Sequence, residues 1–586
     1  MTLDGRVASA MGAAIAGASI AVYPSGGHRA AGIATTAADG SFRVAIEKGT
    51  YSVTATAPGW TAAMVANQDV HAGMAPVTVT LQPARRTVRG TIRDEAGRPV
   101  AGAVVRASQW TYPEARLFYT AADSAGRYAL ALEDDGYSLT VDDPHYVSSD
   151  GSYSGGGDAQ VDLVAYPRER AIRPAPQVVV DWMQSRAIPL RTVSAGSGFE
   201  DMRGLASLVG GARIVALGEA THGTREFIQV KHRLIEYLVT ELGFSVFAIE
   251  GSLPDAMAVD DYILHGRGIA AVALAGMHFW TTDTEEVLQM IEWMRAYNSD
   301  PGHARKLRFY GMDMQYTGAA AAGVVDYIGQ TAPGQRDEVA AALEQFRTEA
   351  WQGGFAQLAP DVRLATRKRV EALGELLDRR RAETEEWRRA RRYVTVILQA
   401  MTVDAPAAAE RGSARDRAMA DNVEWIAESH PHERIILWAA DGHISRLDSE
   451  GIQSMGNFLA ARHGQDYLAV ALAFGEGAYQ GRYMRPGGNS APVVELAIHR
   501  APEHYVEAAL GRVGLPILAI GLRDAPRTGP VAEWLATPHP MREFGGTYLA
   551  PDYHWNHMLL ARHFDAILYV DRTTRARPTP TGRRDQ

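Results

Sequence analysis

The chain has 586 residues, which is too many for a single hydrophobic core, so we expect it to fold as several domains. Hydrophobic residues make up 46% of it and the net charge is −9 with no basic block, which fits a globular protein and argues against nucleic acid as the main partner. The absence of cysteine excludes disulfide bonds, a cysteine nucleophile and a thiolate metal site. No run of about 18 apolar residues is present, so we expect no transmembrane helix.

The first part of the chain contains an internal duplication. Residues 36–46, TAADGSFRVAI, match residues 120–132, TAADSAGRYALAL, and the segments before and after them match at a similar spacing. Each copy consists of short alternating runs separated by Gly, Pro and Asp turns, which predicts a small antiparallel β-sandwich. We place these two all-β domains at residues 1–83 and 84–166.

The repeated pattern resembles the carboxypeptidase regulatory-like, or transthyretin-like, domain through its T-x-x-D-x-x-G and Y-S-x-T segments. The resemblance implies a spacer or weak binding unit of a kind common in exported bacterial proteins, with contact to a cell surface or a glycan as one role. The apolar residues 7–23 belong to this repeat, so we do not read them as a leader peptide. We expect a periplasmic or secreted protein whose signal peptide is already absent from this chain.

The remainder of the chain has the texture of an α/β domain. Residues 167–200 predict a linker with a short lead-in helix, and from 201 to 586 apolar runs alternate with long helical patterns. The runs are rich in Val, Ile and Leu and barely alternate, which predicts a largely parallel sheet buried on both faces. From about 335 to 425 no strand pattern occurs, so we expect an inserted helical arm there. The predicted strands are residues 213–217, 244–249, 307–311, 434–439, 467–474, 516–522 and 566–571.

Acidic residues and histidines follow four of these predicted strands. They are Glu219 with His222, Glu250, Asp313, and Asp441 with His443. One acid after a strand is commonly a helix cap, whereas four such coincidences favour a functional site. Because ligands of open parallel sheets bind outside the carboxyl ends of the strands, we expect these side chains to gather at one edge.

The residue types limit the chemistry of this site. The chain has no G-x-S-x-G elbow, no H-E-x-x-H motif, no Walker loop and no G-x-G-x-x-G turn after a strand. A histidine held by a carboxylate can deprotonate water near neutral pH, and a second histidine or an arginine can stabilise the resulting oxyanion. This combination suits direct attack of water on an ester or lactone. The same residues can instead hold a divalent metal, so both chemistries stay open at this point.

Several ordered motifs resemble the erythromycin esterase family over roughly residues 175–575. They are GEATHGTREFIQVKHRLIEYLV (218–239), FAIEG (247–251), RFYGMDMQ (308–315), ARDRAMADNVEWI (414–426) and LWAADGHI (437–444). The resemblance implies an α/β core with a helical arm. It also implies an esterase of the kind that opens macrolide lactones, with a small-molecule ester or lactone as substrate. We expect no cofactor, a divalent metal being the less favoured alternative.

The resemblance implies a role for each matching residue. His222 would be the base that activates water, Glu219 and Glu250 would orient it, and His443 would contact the substrate or stabilise charge. The other matching positions would bind substrate or support these four. They are Arg225, Glu226, Lys231, Asp313, Arg415, Asp416 and Asp441.

The chain departs from the family pattern W-A-H-N-x-H, because Ala440 stands in place of the first histidine and Asp441 in place of the asparagine. Either the substrate differs, or Asp441 and water replace part of the lost imidazole. Two alternatives therefore stay open: a lyase, transferase or cyclase acting on a natural product or glycan with the same residues, and a non-catalytic exported binding protein. His554 and His557, in a polar aromatic loop, are further candidates for lining the cleft.

Overall fold

The structure is a computed structural model with an all-β N-terminal part and an α/β C-terminal part, which confirms the predicted fold class. The residues it describes are 1–25, 30–111, 114–133, 137–148, 151–153, 157–347, 354–404, 411–447, 453–484, 490–548 and 555–580.

The N-terminal part consists of two β-modules. The strands of the first are β1 (Thr2–Ser9), β2 (Ser19–Pro24), β3 (Gly32–Thr35), β4 (Ser41–Ala45), β5 (Gly49–Ala57), β6 (Trp60–Val70) and β7 (Val77–Pro83). The strands of the second are β8 (Val88–Asp94), β9 (Val104–Thr111), β10 (Glu114–Ala121), β11 (Arg127–Leu130), β12 (Tyr137–Val141), β13 (Tyr146–Val147), β14 (Gly151–Tyr153), β15 (Ala159–Gln160) and β16 (Leu163–Pro167). A buried apolar cluster fills each module.

The strand pairing of the modules differs from a purely antiparallel pattern in the same way in both copies. β1 runs parallel to β7, and β8 runs parallel to β16, so the first and last strands of each module are neighbours. The modules also contact each other, since the hydroxyl of Thr54 donates to the carbonyl of Leu117 at 2.6 Å and that of Thr56 to Tyr119 at 2.5 Å.

The C-terminal part begins with a linker and the first strands of a large sheet. Its elements up to the helical arm are α1 (Arg168–Ala171), α2 (Gln177–Arg186), β17 (Ile188–Pro189), α3 (Leu205–Val209), β18 (Ile214–Leu217), α4 (Arg225–Thr240), β19 (Val246–Ser252), α5 (Leu253–His265), α6 (Ala270–Ala275), α7 (Glu285–Ser299) and β20 (Arg308–Asp313). The arm consists of α8 (Gly318–Thr331), α9 (Arg336–Leu343), α10 (Gly354–Gln357), α11 (Pro360–Arg379), α12 (Glu385–Val403) and α13 (Arg411–Ser429).

The chain then returns to the sheet. The remaining elements are β21 (Ile435–Trp438), α14 (Asp441–Ile444), α15 (Met455–His463), β22 (Tyr467–Met484), β23 (Ser490–Ile498), α16 (Val506–Gly511), β24 (Ile517–Gly521), α17 (Gly529–Leu535), β25 (His539–Arg542), β26 (Thr547–Tyr548), β27 (Trp555–Met558), α18 (Leu560–His563) and β28 (Ala566–Thr573). Among the described residues, no helix is both long enough and apolar enough to cross a membrane.

The large sheet has the strand order β17-β24-β28-β22-β18-β21-β19-β20. The strands from β28 to β20 run parallel, and β24 runs antiparallel to its two neighbours near one edge. Successive side chains of β18 enter two different apolar clusters, Ile214 and Ala216 on one face and Val215 and Leu217 on the other. Burial on both faces explains why these strands are continuously apolar. It also leaves their carboxyl ends as the place where polar side chains can meet.

Candidate active site

The turn between β18 and α4 carries the first pair of candidate residues. Gly218 follows the strand where the chain passes Asp441, and a Cβ at Gly218 would lie 1.9 Å from Asp441 Oδ1, so only glycine fits there. Glu219 and His222 come next, before α4 begins at Arg225. The close approach at Gly218 therefore fixes the path of the turn that presents them.

Glu219 is held by three donors. Its Oε1 accepts from Nδ1 of His222 at 2.6 Å, and its Oε2 accepts from the buried ammonium of Lys231 and from Nε1 of Trp438 at 3.0 Å. Lys231 also lies over the Trp438 ring, 3.7 Å from its centroid. Because a carboxylate only accepts, Nδ1 of His222 carries the proton and Nε2 is the basic nitrogen of the neutral ring.

The charges around this pair shift its pKa values in a consistent way. Burial lowers the pKa of His222, but its hydrogen bond to Glu219 and the charges of Glu219 and Glu250 outweigh burial, so the net pKa is raised. Burial raises the pKa of Glu219, but the charge of Lys231 and the contact with His222 lower it by more, so the net pKa falls below its usual value. Burial lowers the pKa of Lys231 to about 8. Glu219 is therefore anionic beside an imidazole made more basic.

A second polar cluster surrounds Arg415, which reaches in from α13. Its Nε donates to Asp313 Oδ2 at 3.0 Å and its Nη2 to Glu250 Oε1 at 2.8 Å, and its Nη1 lies 3.0 Å from Nε2 of His443. Nδ1 of His443 lies 2.8 Å from Asp416 Oδ1, one residue along α13 from the arginine. The arm thus supplies two residues that hold the acids and the histidine at the strand ends.

Glu250 owes its position to an irregularity in the sheet. The register of β19 against β20 shifts between Ile249 and Ser252, and such a bulge re-aims the side chain that lies within it. Glu250 Oε2 accepts from the backbone amide of Ala440 at 3.1 Å. The backbone of Ala440 therefore contacts the cluster although its methyl group offers no proton donor.

The second cluster is strongly polarised and acts on the first. Burial raises the pKa of Glu250, but His443 and Arg415 hold it well below its usual range. Burial lowers the pKa of His443, but the charges of Asp416 and Glu250 raise it well above its usual range. Glu250 and His443 both perturb the pKa of His222, so the two clusters face one site.

Asp441 sits beneath this site in a buried position. Its Oδ1 accepts from the amide of Leu472 at 3.1 Å, and within the described part of the chain its Oδ2 has no hydrogen-bond partner. Burial and the neighbouring charge of Glu543 raise the pKa of Asp441 well above its usual value. Glu543, which the sequence reading did not single out, accepts from Nδ2 of Asn556 at 3.1 Å. The raised pKa favours the protonated form of Asp441, which resembles the asparagine of the family pattern in shape.

We expect Asp441→Asn to raise the free energy of unfolding at pH 7, because burial and the charge of Glu543 oppose ionisation of the acid. A carboxyl with a raised folded-state pKa contributes its stability below the unfolded value of 3.8 and loses it as pH rises, whereas asparagine does not ionise. The gain should therefore vanish as the pH approaches 3.8, measured by chemical unfolding across pH. Asp441→Ala is the control, because it leaves the Leu472 amide without its acceptor. Unchanged or lower stability of Asp441→Asn at pH 7 would contradict a raised pKa of this acid in the folded state.

Arg225 and Glu226 make their contacts away from the two clusters. Nε of Arg225 lies 3.3 Å from Glu286 Oε1, and Glu226 accepts from the backbone amide of Thr574 at 2.6 Å and from its hydroxyl at 2.7 Å. These contacts attach the start of α4 to α7 and to the segment after β28. The other residues predicted from the sequence belong to the two clusters or lie next to them. They are Glu219, His222, Lys231, Glu250, Asp313, Arg415, Asp416, Asp441 and His443.

Three further residues line the His222 turn without any sequence signal that we recognised. The carbonyl of Gly545 accepts from the amide of His222 at 3.1 Å. Next to it, a Cβ at Gly546 would lie 3.0 Å from the Trp280 ring and 3.4 Å from Cδ2 of His222. Gly546 therefore lies between the Trp280 ring and the His222 imidazole, and its lack of a side chain lets the two rings come close to each other. The segment FWTTDTEE (279–286) contains Trp280, but nothing in its pattern assigns it to this place.

The histidines of the polar aromatic loop do not add to the site as described. His554 lies outside the described residues. His557 is in β27, where the charges of Arg168, Arg106 and Asp142 act on it, so it faces the second β-module. Its expected place in the cleft is therefore wrong, because the hairpin that carries it packs against the module.

The donor set also bears on metal binding. Within the described residues, no group of three or more histidine, aspartate or glutamate side chains is arranged to hold a metal ion. Glu250, Asp313 and His443 converge instead on the guanidinium of Arg415. A fixed positive charge thus occupies the point at which these ligands meet.

The geometry can be compared with known proteins. A family model described as erythromycin esterase matches residues 239–573, starting after the Glu219–His222 turn, and one described as carboxypeptidase regulatory-like domain matches residues 2–82 and 87–165. Erythromycin esterase type II of Escherichia coli is 23% identical over 426 residues, which cover 67% of this chain and 97% of that protein. The putative hydrolase YbfO of Bacillus subtilis is also 23% identical, over 67% of this chain and 90% of its own.

Solved structures share the fold of the C-terminal part. A protein from Bacillus cereus is 25% identical with a TM-score of 0.63, covering 69% of this chain and 99% of that one. A succinoglycan biosynthesis protein is 25% identical with a TM-score of 0.61, covering 69% and 98%. A mutant of the erythromycin esterase EreC in its open conformation, at 19% identity and a TM-score of 0.50, covers 64% and 94% and shows the fold alone.

Proposed function

The chain belongs to the erythromycin esterase family, and on that premise we propose that it hydrolyses an ester or lactone with His222 as general base for water. The observation that carries this proposal is the 2.6 Å contact between Nδ1 of His222 and Glu219, which leaves Nε2 basic. Lys231 and Trp438 support it by holding Glu219 in place from the other side.

The reaction follows from that arrangement. Nε2 of His222 takes a proton from a water molecule as the water oxygen bonds to the carbonyl carbon, and the carbonyl electron pair moves onto its oxygen. Glu219 stabilises the imidazolium that forms. When the tetrahedral intermediate collapses, the C–O bond breaks and His222 returns the proton to the leaving alkoxide. The products are an acid and an alcohol, or one hydroxy acid from a lactone.

The Arg415 cluster supplies positive charge for the oxyanion. Arg415 is a cationic donor beside Glu250, and His443, whose pKa the charges of Asp416 and Glu250 raise, lies next to it. Preorganised donors aimed at developing negative charge commonly contribute the largest share of rate enhancement. Ala440 brings no imidazole to this point, so these two residues carry the role in this chain. The same guanidinium would repel a divalent cation, which supports a metal-independent reaction.

The substrate we propose is a small molecule with an ester or lactone bond. Macrolide lactones are the first candidates, since the E. coli relative is named an erythromycin esterase. The Trp280 ring beside His222 offers an apolar face to such a substrate. We further propose a periplasmic or secreted location, with the β-modules contacting a cell surface or glycan, because such modules are common in exported proteins.

The proposal is tested by incubating the purified protein with macrolides, aryl esters and acylated sugars in H₂¹⁸O, with and without EDTA. We expect one ¹⁸O atom in the acid product by mass spectrometry, with the same rate in EDTA. Product without the label would replace hydrolysis by a lyase, transferase or cyclase reaction. Loss of turnover in EDTA would replace the metal-independent mechanism, and binding without turnover on every substrate would favour a binding protein.

A further inference from the structure

The hairpin of β25 and β27 touches both the candidate site and the second β-module. Among the described residues, the two strands pair with each other in a sheet of their own and with no strand of the large sheet. An isolated two-stranded hairpin is marginally stable in water. The position of this hairpin therefore depends on its contacts with neighbouring elements. These include α16, where the amide of Arg542 donates to Glu507 Oε1 at 2.7 Å, the pairing of the intervening β26 with β22, and the packing against the two ends of the hairpin.

One end of the hairpin forms a wall of the His222 turn. Directly after β25, the amides of Phe544 and Gly545 donate to the carbonyl of Ala220 at 2.6 and 3.2 Å, and the carbonyl of Gly545 accepts from the amide of His222 at 3.1 Å. The preceding residue, Glu543, is bound by Asn556 of β27 and acts electrostatically on Asp441. Any shift of the hairpin would move the backbone that holds His222.

The other end of the hairpin is covered by the second module and its exit helix. Leu559, one residue after β27, is buried in a small cluster with Val147, Tyr166 and Ala171. At the start of β25, Nδ1 of His539 lies 3.0 Å from the carbonyl of Ala171. Both strands of the hairpin are thus anchored to residues that precede the α/β domain in the chain.

The charged groups of this contact are paired, and its histidine is neutral at physiological pH. Burial, with Arg168 and Arg106 nearby, lowers the pKa of His557 in β27 to about 3. Asp142 binds both cations, Arg106 Nη1 and Arg168 Nη2 each at 3.1 Å. The neutral imidazole therefore adds no positive charge to a contact in which two guanidinium groups are already paired.

We propose that the second β-module is a positioning element of the active site. Through the β25–β27 hairpin it holds residues 543–546 against the turn that carries His222, in addition to any contact it makes outside the molecule. The kinetic consequence of this proposal rests on the proposed function, whereas its structural consequence does not.

The test uses Tyr166→Ala and Val147→Ala in the full-length protein, each of which removes a side chain of the second module from the cluster around Leu559. We expect faster hydrogen–deuterium exchange at residues 220–223 and 543–546 in both variants. On a substrate that is turned over, kcat should fall by about 10- to 100-fold with little change in KM, as expected for a base displaced by about 1 Å. Using two variants separates this effect from misfolding of either one.

The matched control is the double variant Thr54→Val with Thr56→Val. It removes two hydroxyl contacts between the two modules and leaves the hairpin anchor untouched, so exchange at 543–546 and kcat should stay at the wild-type level. Faster exchange at 145–171 with unchanged exchange at 543–546 would overturn the proposal. If no substrate is turned over, the exchange result still decides it, and only the proposed hydrolase function fails.

Discussion

His222→Ala is expected to lower kcat/KM by about 10²- to 10⁴-fold, the usual contribution of a positioned general base. The variant should remain folded, because Glu219 keeps two donors, Lys231 and Nε1 of Trp438, after the imidazole is removed. The measurement is steady-state hydrolysis of the best substrate found, beside a thermal unfolding curve. Wild-type activity in a folded His222→Ala protein would remove His222 from the mechanism.

Two further variants show whether the loss belongs to the base itself. Glu219→Gln removes the charge that outweighs burial in raising the pKa of His222, so that pKa should fall. Since the base acts in its neutral form, the acid limb of the kcat/KM profile should move to lower pH. His303→Ala, at a histidine stacked on Tyr297 and outside the site, should leave both the rate and the limb unchanged.

The fold could be predicted because its signals are local. Strands buried on both faces require continuous apolar runs, and the residues of β18, β19 and β21 have them. Glu219 and His222 are three residues apart in one turn, so their contact needs no distant partner. The gathering of acids followed from one rule of parallel sheets, that the carboxyl ends share an edge.

The contacts that sequence could not supply join residues far apart in the chain. Trp438 reaches Glu219 across 219 positions, and nothing in the motif around either residue encodes that distance. Glu226 was expected near the substrate because it lies in the same motif as His222. The helical rotation after Thr224 turns it instead toward Thr574. The sequence around His557 predicts a polar loop, and nothing in it indicates that the second module lies beside this residue.

Arg415→Leu is expected to lower the stability of the α/β domain by about 3–5 kcal/mol, the usual cost of removing one partner from a buried ion pair. Arg415 bridges Asp313, whose side chain is 0% exposed, and Glu250, whose side chain is 11% exposed, so its loss leaves Asp313 without its cation and Glu250 with His443 alone. Catalysis should be lost as well, since the same guanidinium contacts His443. Scanning calorimetry of the full chain measures the first effect.

The pH dependence of that loss identifies its cause. Arg415 and His443 outweigh burial and hold the pKa of Glu250 well below its unfolded value, so the stability from Glu250 is present above the unfolded pKa and lost as pH falls through the folded pKa. The deficit of Arg415→Leu should therefore be largest near neutral pH and shrink as the medium becomes acidic.

Arg415→Lys restores the charge without the planar fork, so it should recover part of the stability but not the activity. Arg43→Leu, at an exposed pair with Asp4, should leave the stability close to the wild-type value at any pH, because solvent screens such pairs. A deficit that stays constant with pH would mean that Arg415 stabilises the domain by packing, and the carboxylates at the strand ends would then need another source of positive charge.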